Sequence, residues 1–213
     1  MNSFTIRLGL VAGAAAVVLL VIVWPFASGG AQTPTEFRGD EIIDGWGKPD
    51  FTLTDENGAP YDLQAETEGF VTALYFGYTY CPDICPTHMA DVAFALEDNP
   101  GLRDNVKVVF VTVDPERDDS ARLKLWLDLF DEDFTGLTGT TAEIDSASKD
   151  ALGDLWRPIE TFVTHGDDYT VSHPAFVVGY GLDNRARVIW QLGTPTDVYA
   201  NDIQVMLDEG SPS

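Results

Sequence analysis

Cysteine is scarce in this chain of 213 residues: there are two, and both lie in one short stretch, YFGYTYCPDICPTHM, at 75–89. Two cysteines exclude a disulfide-stapled scaffold, and a Cys81–Cys85 bridge would close too short a loop to stabilise the fold much through chain entropy. No cysteine lies near the N-terminus, which excludes a lipid-modified cysteine there. The residues alone leave three interpretations of the pair: a weak structural bridge, a disulfide-exchange pair, or two metal ligands.

Basic residues are also few. The chain has 12 Lys and Arg against 35 Asp and Glu, which gives a formal net charge of −23. Such a surface repels nucleic-acid phosphates and anionic lipid headgroups, so we expect no nucleic-acid partner. It favours metal ions and cationic partners, although solubility in a salty environment explains the charge more simply. The length and the 45% hydrophobic content suit one well-buried domain rather than two.

Charged residues are absent from the apolar run between Leu8 and Phe26. A helix of this length spans roughly 28 Å, close to the thickness of the bilayer hydrocarbon. Arg7 precedes the run and no basic residue follows before Arg38. This asymmetry predicts that the N-terminus stays inside the cell while the rest of the chain lies outside.

These features predict three segments: a transmembrane anchor or signal segment at 1–26, a linker at 27–48, and a folded domain at 49–213. The small residues ASGGA at 27–31 leave a cleaved signal peptide as the alternative to an anchor. In either case the domain lies on the extracytoplasmic side. The expected location is the plasma membrane, with a single pass through it.

The hydrophobic pattern predicts an α/β fold with a central mixed β-sheet flanked by helices. Strands are predicted on both sides of Asn57-Gly58, as a hairpin, and at 70–78, 106–113, 175–181 and 187–192. Helices are predicted at 86–98, 120–130, 141–156 and 194–209. Strands alternating with helices imply a sheet covered on both faces. A cysteine motif between a buried strand and the next helix is typical of a thioredoxin-like fold.

The spacing of the two cysteines favours metal binding over exchange, although only modestly. Pro86 suits a first helical position, which puts Cys85 at the helix N-terminus, where unpaired amides and the helix dipole favour its thiolate. Helical side chains four residues apart have Cβ atoms about 5–6 Å apart, whereas a disulfide needs roughly 3.5–4.5 Å. One metal ion between two sulfurs, each roughly 2.3 Å away, tolerates the wider gap.

Two thiolates rarely complete a metal site, and the chain has three histidines that could add to them. His173, in YTVSHPAFVVGY, lies just before a predicted strand and can return to the cysteines in this topology. Two sulfurs and one imidazole suit copper and leave an open position for transfer, but fall one ligand short of a closed zinc site. His88 is expected to be a solvated helix residue and His165 a loop residue. A lone histidine such as His173 would more often be structural.

The stretch FGYTYCPDICPTHMADVAFAL resembles the cysteine motif of the SCO/SenC family of copper-binding proteins, which are used in cytochrome c oxidase assembly. VTVDPERDD (111–119), FTGLTGTTAEI (134–144) and YTVSHPAFVVGYG (169–181) follow in the order and spacing of that family, and the resemblance covers roughly 46–209. It implies a thioredoxin-like fold. It also implies ligation of copper, as Cu(I), Cu(II) or both, by Cys81, Cys85 and His173.

The resemblance further implies a metallochaperone that delivers copper to the dinuclear copper centre of cytochrome c oxidase subunit II, or to another copper-receiving protein. The alternative role in the family is thiol–disulfide exchange that keeps the cysteines of that subunit reduced. Cys81 and Cys85 would then be catalytic residues of an oxidoreductase, so enzymatic activity is left open. Asp83 and Asp114 are expected to cap their loops rather than to bind metal.

This sequence departs from the family pattern beside the ligand histidine. The family commonly has Asp before it and Ser after it, whereas this chain has Ser172 and Pro174. Loss of the acid removes a hydrogen-bond partner for the imidazole, which lowers the expected copper affinity. Because His173-Pro174 stands where thioredoxin relatives carry a cis-proline, we predict a cis peptide bond there. Tyr80 replaces a more usual polar residue, which predicts a drier site.

Overall fold

A computed structural model of the chain describes residues 35–165 and 168–210. The predicted anchor or signal segment at 1–26 lies outside the described residues, as does the first part of the predicted linker. Across the described ranges, no helix combines the length and the apolar character that a membrane crossing needs.

Ten strands are formed in the described part of the chain. They are β1 (Asp40–Glu41), β2 (Thr52–Asp55), β3 (Pro60–Asp62), β4 (Val71–Gly77), β5 (Val106–Thr112), β6 (Thr135–Thr138), β7 (Thr161–His165), β8 (Asp168–Val171), β9 (Phe176–Tyr180) and β10 (Ala186–Gln191). Eight of them form one mixed sheet in the order β1-β10-β9-β4-β5-β6-β2-β3, and β7 pairs with β8 as a separate hairpin. The strand pairs predicted around Asn57-Gly58 and at 175–192 are confirmed.

The helices connect and flank these strands. They are α1 (Leu63–Glu66), α2 (Ile84–Glu97), α3 (Pro100–Arg103), α4 (Ser120–Leu127), α5 (Thr141–Leu152), which a short 3-10 turn follows, and α6 (Thr196–Gly210). The Asp119 carboxylate caps α4, and Thr140 with Glu143 forms a capping box at the start of α5. Helices α2 and α6 pack against each other. The mixed sheet with flanking helices confirms the predicted α/β class.

The centre of the sheet is built from the two most apolar runs in the domain. Every residue of β4 is buried, and β5 is buried apart from Lys107. A strand without polar alternation is expected where both faces of a sheet are covered. β4 pairs in parallel with β5 and antiparallel with β9, with Leu74 opposite Val178. The carboxyl end of β4 therefore lies at the same edge of the sheet as the amino end of β9.

The sheet also takes in residues that the sequence pattern assigned to a linker. Asp40 and Glu41 pair with β10. The backbone amides of Arg38 and Gly39 donate to the Asp202 carboxylate on α6 at 2.7 and 2.9 Å. The ordered fold thus begins before the predicted boundary at 49, because backbone pairing and a buried carboxylate hold a segment whose side chains carry no strand pattern.

Candidate metal centre

The cysteine loop links the carboxyl end of β4 to the start of α2. The helix begins at Ile84, two residues earlier than Pro86 suggested, so Cys85 lies in its first turn. The Cys81 amide donates to the Tyr78 carbonyl at 3.2 Å, and the Cys85 amide donates to Cys81 Sγ at 3.4 Å. The loop thus folds Cys81 back over the helix N-terminus. Neither cysteine forms a disulfide.

His173 meets the cysteines from the other side of the sheet edge. It lies between β8 and β9, and its Nε2 is 3.5 Å from Cys85 Sγ. Its Nδ1 lies 3.0 Å from the Pro174 carbonyl oxygen and donates to it, so that Nε2 is the ring nitrogen that faces the sulfurs. One ligand atom from each of Cys81, Cys85 and His173 lies within 4.8 Å of the other two. The structure thus brings together the three residues that the sequence pattern and the family resemblance single out.

The peptide bond that follows His173 is trans, since no peptide bond among the described residues is cis. The prediction of a cis bond at Pro174 is therefore wrong. The trans form is the default for X–Pro bonds by roughly 0.5–1 kcal/mol. It is retained here because the imidazole already reaches Cys85 with the trans backbone.

The two thiols differ in acidity. The pKa of Cys81 is lowered to about 3, first by a hydrogen bond from the Cys85 thiol and then by contacts with His173 and the backbone amides of Cys85 and Asp83, against the effect of burial. Burial raises the pKa of Cys85, whose side chain is fully enclosed. The prediction that the helix N-terminus favours a Cys85 thiolate is wrong, because burial of the Cys85 sulfur outweighs that effect, and the Cys85 amide donates to Cys81. Cys81 is the thiolate of the pair.

Tyr75 and Gly77 form the floor beneath Cys85. The Tyr75 hydroxyl lies 3.5 Å from Cys85 Sγ and donates to it. A Cβ atom at Gly77 would lie 2.5 Å from Tyr75 Cε1 and 3.0 Å from Cys85 Sγ. Position 77 must therefore be glycine for the sulfur to lie against the end of β4. The sulfur is held in place by both a close contact and a hydrogen bond.

His88 is buried, and the prediction that it is a solvated helix residue is wrong. Its exposed fraction is 0%. Its Nε2 lies 3.2 Å from the Ala175 carbonyl oxygen and its Nδ1 lies 3.4 Å from the Tyr199 hydroxyl. Burial lowers the pKa of His88, which keeps the ring neutral. The histidine thus connects α2 to α6 and to the segment just after His173, and it acts through position rather than as a ligand.

The other predicted polar residues lie as follows. His165 ends strand β7 and is not in a loop as predicted, because the hairpin continues through it. Asp83 occupies the N-cap position of α2, but its side chain makes no capping hydrogen bond. Asp114 accepts from the Tyr169 hydroxyl at 2.8 Å and forms an ion pair with Arg117.

Asp118 anchors the cysteine loop, and sequence reasoning missed it. Its buried carboxylate accepts from the Thr79 amide at 2.8 Å and from the Thr79 hydroxyl at 2.6 Å. It also accepts from the Thr112 hydroxyl at 2.7 Å, at the end of β5. Thr79 precedes Cys81 by two residues, so Asp118 fixes the chain just before the first ligand. The acid-rich DPERDD stretch after a buried strand was the available signal.

Arg117 anchors the histidine segment from the same loop. Its guanidinium carbon lies 3.5 Å from the Tyr169 ring centroid, and Nη1 donates to the Tyr169 carbonyl at 3.1 Å. Tyr169 lies in β8, which leads directly to His173. The loop that holds the cysteine segment through Asp118 thus also holds the histidine segment through Arg117.

A cavity of about 350 Å³ opens onto the ligands. Its lining residues come from the cysteine loop and from the segment that carries the histidine: Tyr78, Cys81, Pro82, Asp83, Ile84, Thr170, Val171, Ser172, His173 and Ala175. Cys85 lies behind this lining, whereas Cys81 and His173 face the mouth. Two sulfurs and one imidazole nitrogen suit a soft ion such as Cu(I), and the cavity leaves one side open for a fourth group.

Comparisons with known proteins agree with this geometry. The SCO1/SenC family model matches residues 45–208. A "putative copper-binding protein" of Stutzerimonas stutzeri is 35% identical over 140 residues, which is 65% of this chain and 66% of that protein. The mitochondrial "Protein SCO2 homolog" of Mus musculus is 42% identical over 106 residues, which is 48% of this chain and 41% of that protein. The chain thus covers less than two thirds of each relative.

The fold is shared with a solved structure of a copper-bound protein. The structure of Bradyrhizobium japonicum ScoI with copper bound is 33% identical to this chain, with a TM-score of 0.65. The match covers 74% of this chain and 97% of that one. Because the family model spans well over half of the residues, the predicted resemblance is confirmed. The chain belongs to the SCO1/SenC family.

Proposed function

We propose that this chain binds one copper ion through Cys81, Cys85 and His173, and delivers it to the dinuclear copper centre of cytochrome c oxidase subunit II. The observation that carries the proposal is the convergence of two sulfurs and one imidazole nitrogen within 4.8 Å, beneath an open cavity. The names of the S. stutzeri relative and of copper-bound B. japonicum ScoI support the same cargo.

The open side of the site explains how the ion can leave. A thiolate of the receiving protein enters through the cavity and bonds to copper at the open position before any present ligand departs. Ligand exchange then moves the ion without freeing it and without changing its oxidation state. Cys81, at the mouth, is released more readily than Cys85, which Tyr75 and Gly77 enclose.

The first test is a titration of the reduced full chain with Cu(I), without oxygen, against a chelator of known affinity. We expect one tight equivalent, weakened at least tenfold in Cys81→Ser, Cys85→Ser and His173→Ala. His165→Ala serves as the matched histidine control and keeps the wild-type affinity. Weak binding that is indifferent to His173 would refute the copper site.

Delivery needs a separate measurement. The copper-loaded chain is mixed with the reduced, metal-free copper domain of oxidase subunit II, and metal content is followed after separation. Transfer that outpaces the rate of copper release to a chelator supports direct handover. Tight binding without any transfer to that domain would leave the copper site standing but refute delivery to subunit II.

The location belongs to the proposal as well. We place the folded domain outside the plasma membrane, tethered by the uncharged run at 8–26, and this rests on the sequence pattern alone. The test is protease digestion of cells from which the barriers outside the plasma membrane, such as the cell wall, have been removed. Cleavage of the domain while cytoplasmic proteins stay intact supports the proposed side, and full protection contradicts it.

Thiol–disulfide exchange is the second candidate, and the unequal acidity of the two thiols favours it. The Cys81 thiolate attacks a substrate disulfide and forms a mixed disulfide; Cys85, after losing its proton, then attacks Cys81 Sγ. The substrate leaves as a dithiol and Cys81–Cys85 becomes a disulfide, which an external dithiol must reduce. If exchange is the function, His173→Ala retains the reduction of a disulfide substrate while Cys81→Ser abolishes it.

A further inference from the structure

We propose that Tyr80 and Arg122 form a docking point for a carboxylate on the protein that receives copper. This inference rests on the proposed delivery of copper from Cys81, and it assigns the contact that aligns the two proteins. Neither side chain belongs to the proposed ligand set.

Tyr80 lies where a partner must arrive. It directly precedes Cys81, and its exposed fraction is 53%, against 8% for Cys81. A protein surface that reaches the nearly buried sulfur therefore passes beside the residue that carries this exposed ring. The guanidinium carbons of Arg117 and Arg122 each lie 4.9 Å from the centroid of that ring. An exposed aromatic ring with two guanidinium groups over it thus lies beside Cys81.

The two arginines are not equivalent. Arg117 is neutralised by its ion pair with Asp114. Arg122 forms no ion pair with any residue that the structure describes, and its Nε donates to the Thr79 hydroxyl at 3.0 Å. Its terminal nitrogens thus have no carboxylate partner within the described fold. The planar guanidinium offers two parallel donors, which match the two oxygens of a carboxylate.

The position of Arg122 in its helix argues against a role in helix stability. It lies in the first turn of α4, whose N-terminal end carries the positive part of the helix dipole. A cation there is unfavourable. The charge is better explained by a partner. Tyrosine and arginine are also the side chains most enriched at the energetic centres of protein interfaces.

The occupant we infer is a single carboxylate rather than an acidic face. The net charge of −23 repels a strongly acidic partner as a whole. At physiological ionic strength, however, charges beyond about 8 Å are largely screened. One carboxylate beside the copper ligands of the receiving protein can therefore reach Arg122 and align its thiolates with the cavity.

The experiment compares copper transfer from three variants of the full chain to the reduced copper domain of subunit II. Arg122→Gln removes the charge, Arg122→Lys keeps the charge without the planar fork, and Arg185→Gln is the matched control. Arg185 is exposed, forms no ion pair among the described residues, and lies in the turn after β9, at the far end of that strand from His173. Cu(I) affinity is measured on each variant, so that damage to the site is seen separately.

We expect Arg122→Gln to slow transfer about tenfold with unchanged Cu(I) affinity, and to change the salt dependence of the transfer rate relative to Arg185→Gln. The transfer rate of Arg122→Lys lies between the rates of Arg122→Gln and the wild type. That of Arg185→Gln stays within about twofold of the wild-type rate. Equal transfer by Arg122→Gln and Arg185→Gln overturns the docking point alone. A wild-type chain that binds copper but transfers none overturns the proposed delivery together with it.

Discussion

The Asp118 carboxylate and Thr79 are joined twice, because both the amide and the hydroxyl of Thr79 donate to it, at 2.8 and 2.6 Å. Thr79 starts the turn that carries Cys81, whereas Asp118 lies in the loop after β5. The pair therefore fixes the approach of the cysteine loop to the sheet from a point 39 residues away in the sequence. A buried carboxylate so placed constrains the metal site without touching the metal.

Asp118→Asn should destabilise the metal-free protein by about 1.5–3 kcal/mol, since hydrogen bonds to a buried charged group have that value. It should also weaken Cu(I) binding about tenfold, the lower range for loss of a supporting contact. Chemical denaturation and chelator competition measure the two effects. The control is Asp119→Asn: Asp119 caps α4 through the Arg122 amide, and asparagine caps equally well. Equal copper affinity in the two variants would contradict the anchoring role.

Gly77→Ala should destabilise the protein by about 1–3 kcal/mol, the usual range for overpacking a filled core. The new methyl group would lie 2.5 Å from Tyr75 Cε1 and 3.0 Å from Cys85 Sγ, so the ring and the sulfur must both move. Copper binding should weaken in parallel. Gly101→Ala is the matched control, because no heavy atom lies within 4 Å of the added Cβ there. If Gly77→Ala binds copper as tightly as Gly101→Ala, the close contact does not position Cys85.

The two histidines near the site should separate stability from binding. His88→Ala leaves a cavity and an unpaired Ala175 carbonyl, so we expect a loss of about 2–4 kcal/mol in unfolding free energy. His173→Ala should change stability by less than about 1 kcal/mol, because the ring lies at the open mouth. It should nevertheless lose at least tenfold in copper affinity. Denaturation curves of the metal-free proteins, read beside chelator competition, test both expectations. A large loss of stability in His173→Ala alone would contradict the assignment of stability to His88 and of copper binding to His173.

Lys48 gives the protein a measurable response to alkaline pH. The residue is 4% exposed, and its ammonium donates to the Thr67 carbonyl, the Thr67 hydroxyl and the Thr72 hydroxyl. Burial lowers the pKa of Lys48 to about 8, against 10.5 in the unfolded chain. Between these values the unfolded state binds a proton that the folded state has lost, so stability rises with pH.

Wild-type stability should therefore increase relative to that of Lys48→Met by about 2 kcal/mol between pH 7 and pH 9.5. The difference between the two proteins is used because the other titrating groups are common to both. Urea denaturation at several pH values measures it. Two curves that stay parallel across this range would show that Lys48 keeps an ordinary pKa in the folded state.

The strands of the sheet were predictable where the hydrophobic pattern within the strand itself indicates a strand. The runs at 70–78 and 106–113 are apolar throughout, and the structure forms β4 and β5 there. Strand β6 and the β7–β8 hairpin were not predicted, because they are short and mix polar with apolar residues. β6 is held by its neighbours β5 and β2, whereas β7 and β8 pair with each other as a separate hairpin.

The convergence of Cys81, Cys85 and His173 was predictable from residue chemistry and motif order, but their surroundings were not. The burial of His88 depends on Ala175 and Tyr199, and Tyr199 is separated from His88 by 111 residues in the sequence. The acidity of Cys81 depends on the hydrogen bond from the Cys85 thiol and then on the Cys85 amide, which spacing alone does not decide. A contact distant in the sequence therefore determines the burial of His88, whereas contacts between residues four apart determine the acidity of the cysteines.

The antiparallel pairing of β9 with β4 makes the ligand set a property of the native fold alone. Cys85 and His173 are separated by 88 residues and meet only after that pairing has formed. A chain still emerging during synthesis presents the thiol pair long before the imidazole. An ion bound by all three ligands therefore stabilises the folded state over the unfolded one, by an amount that grows with the logarithm of its free concentration. Copper bound through all three residues is therefore bound to a fully synthesised and folded chain.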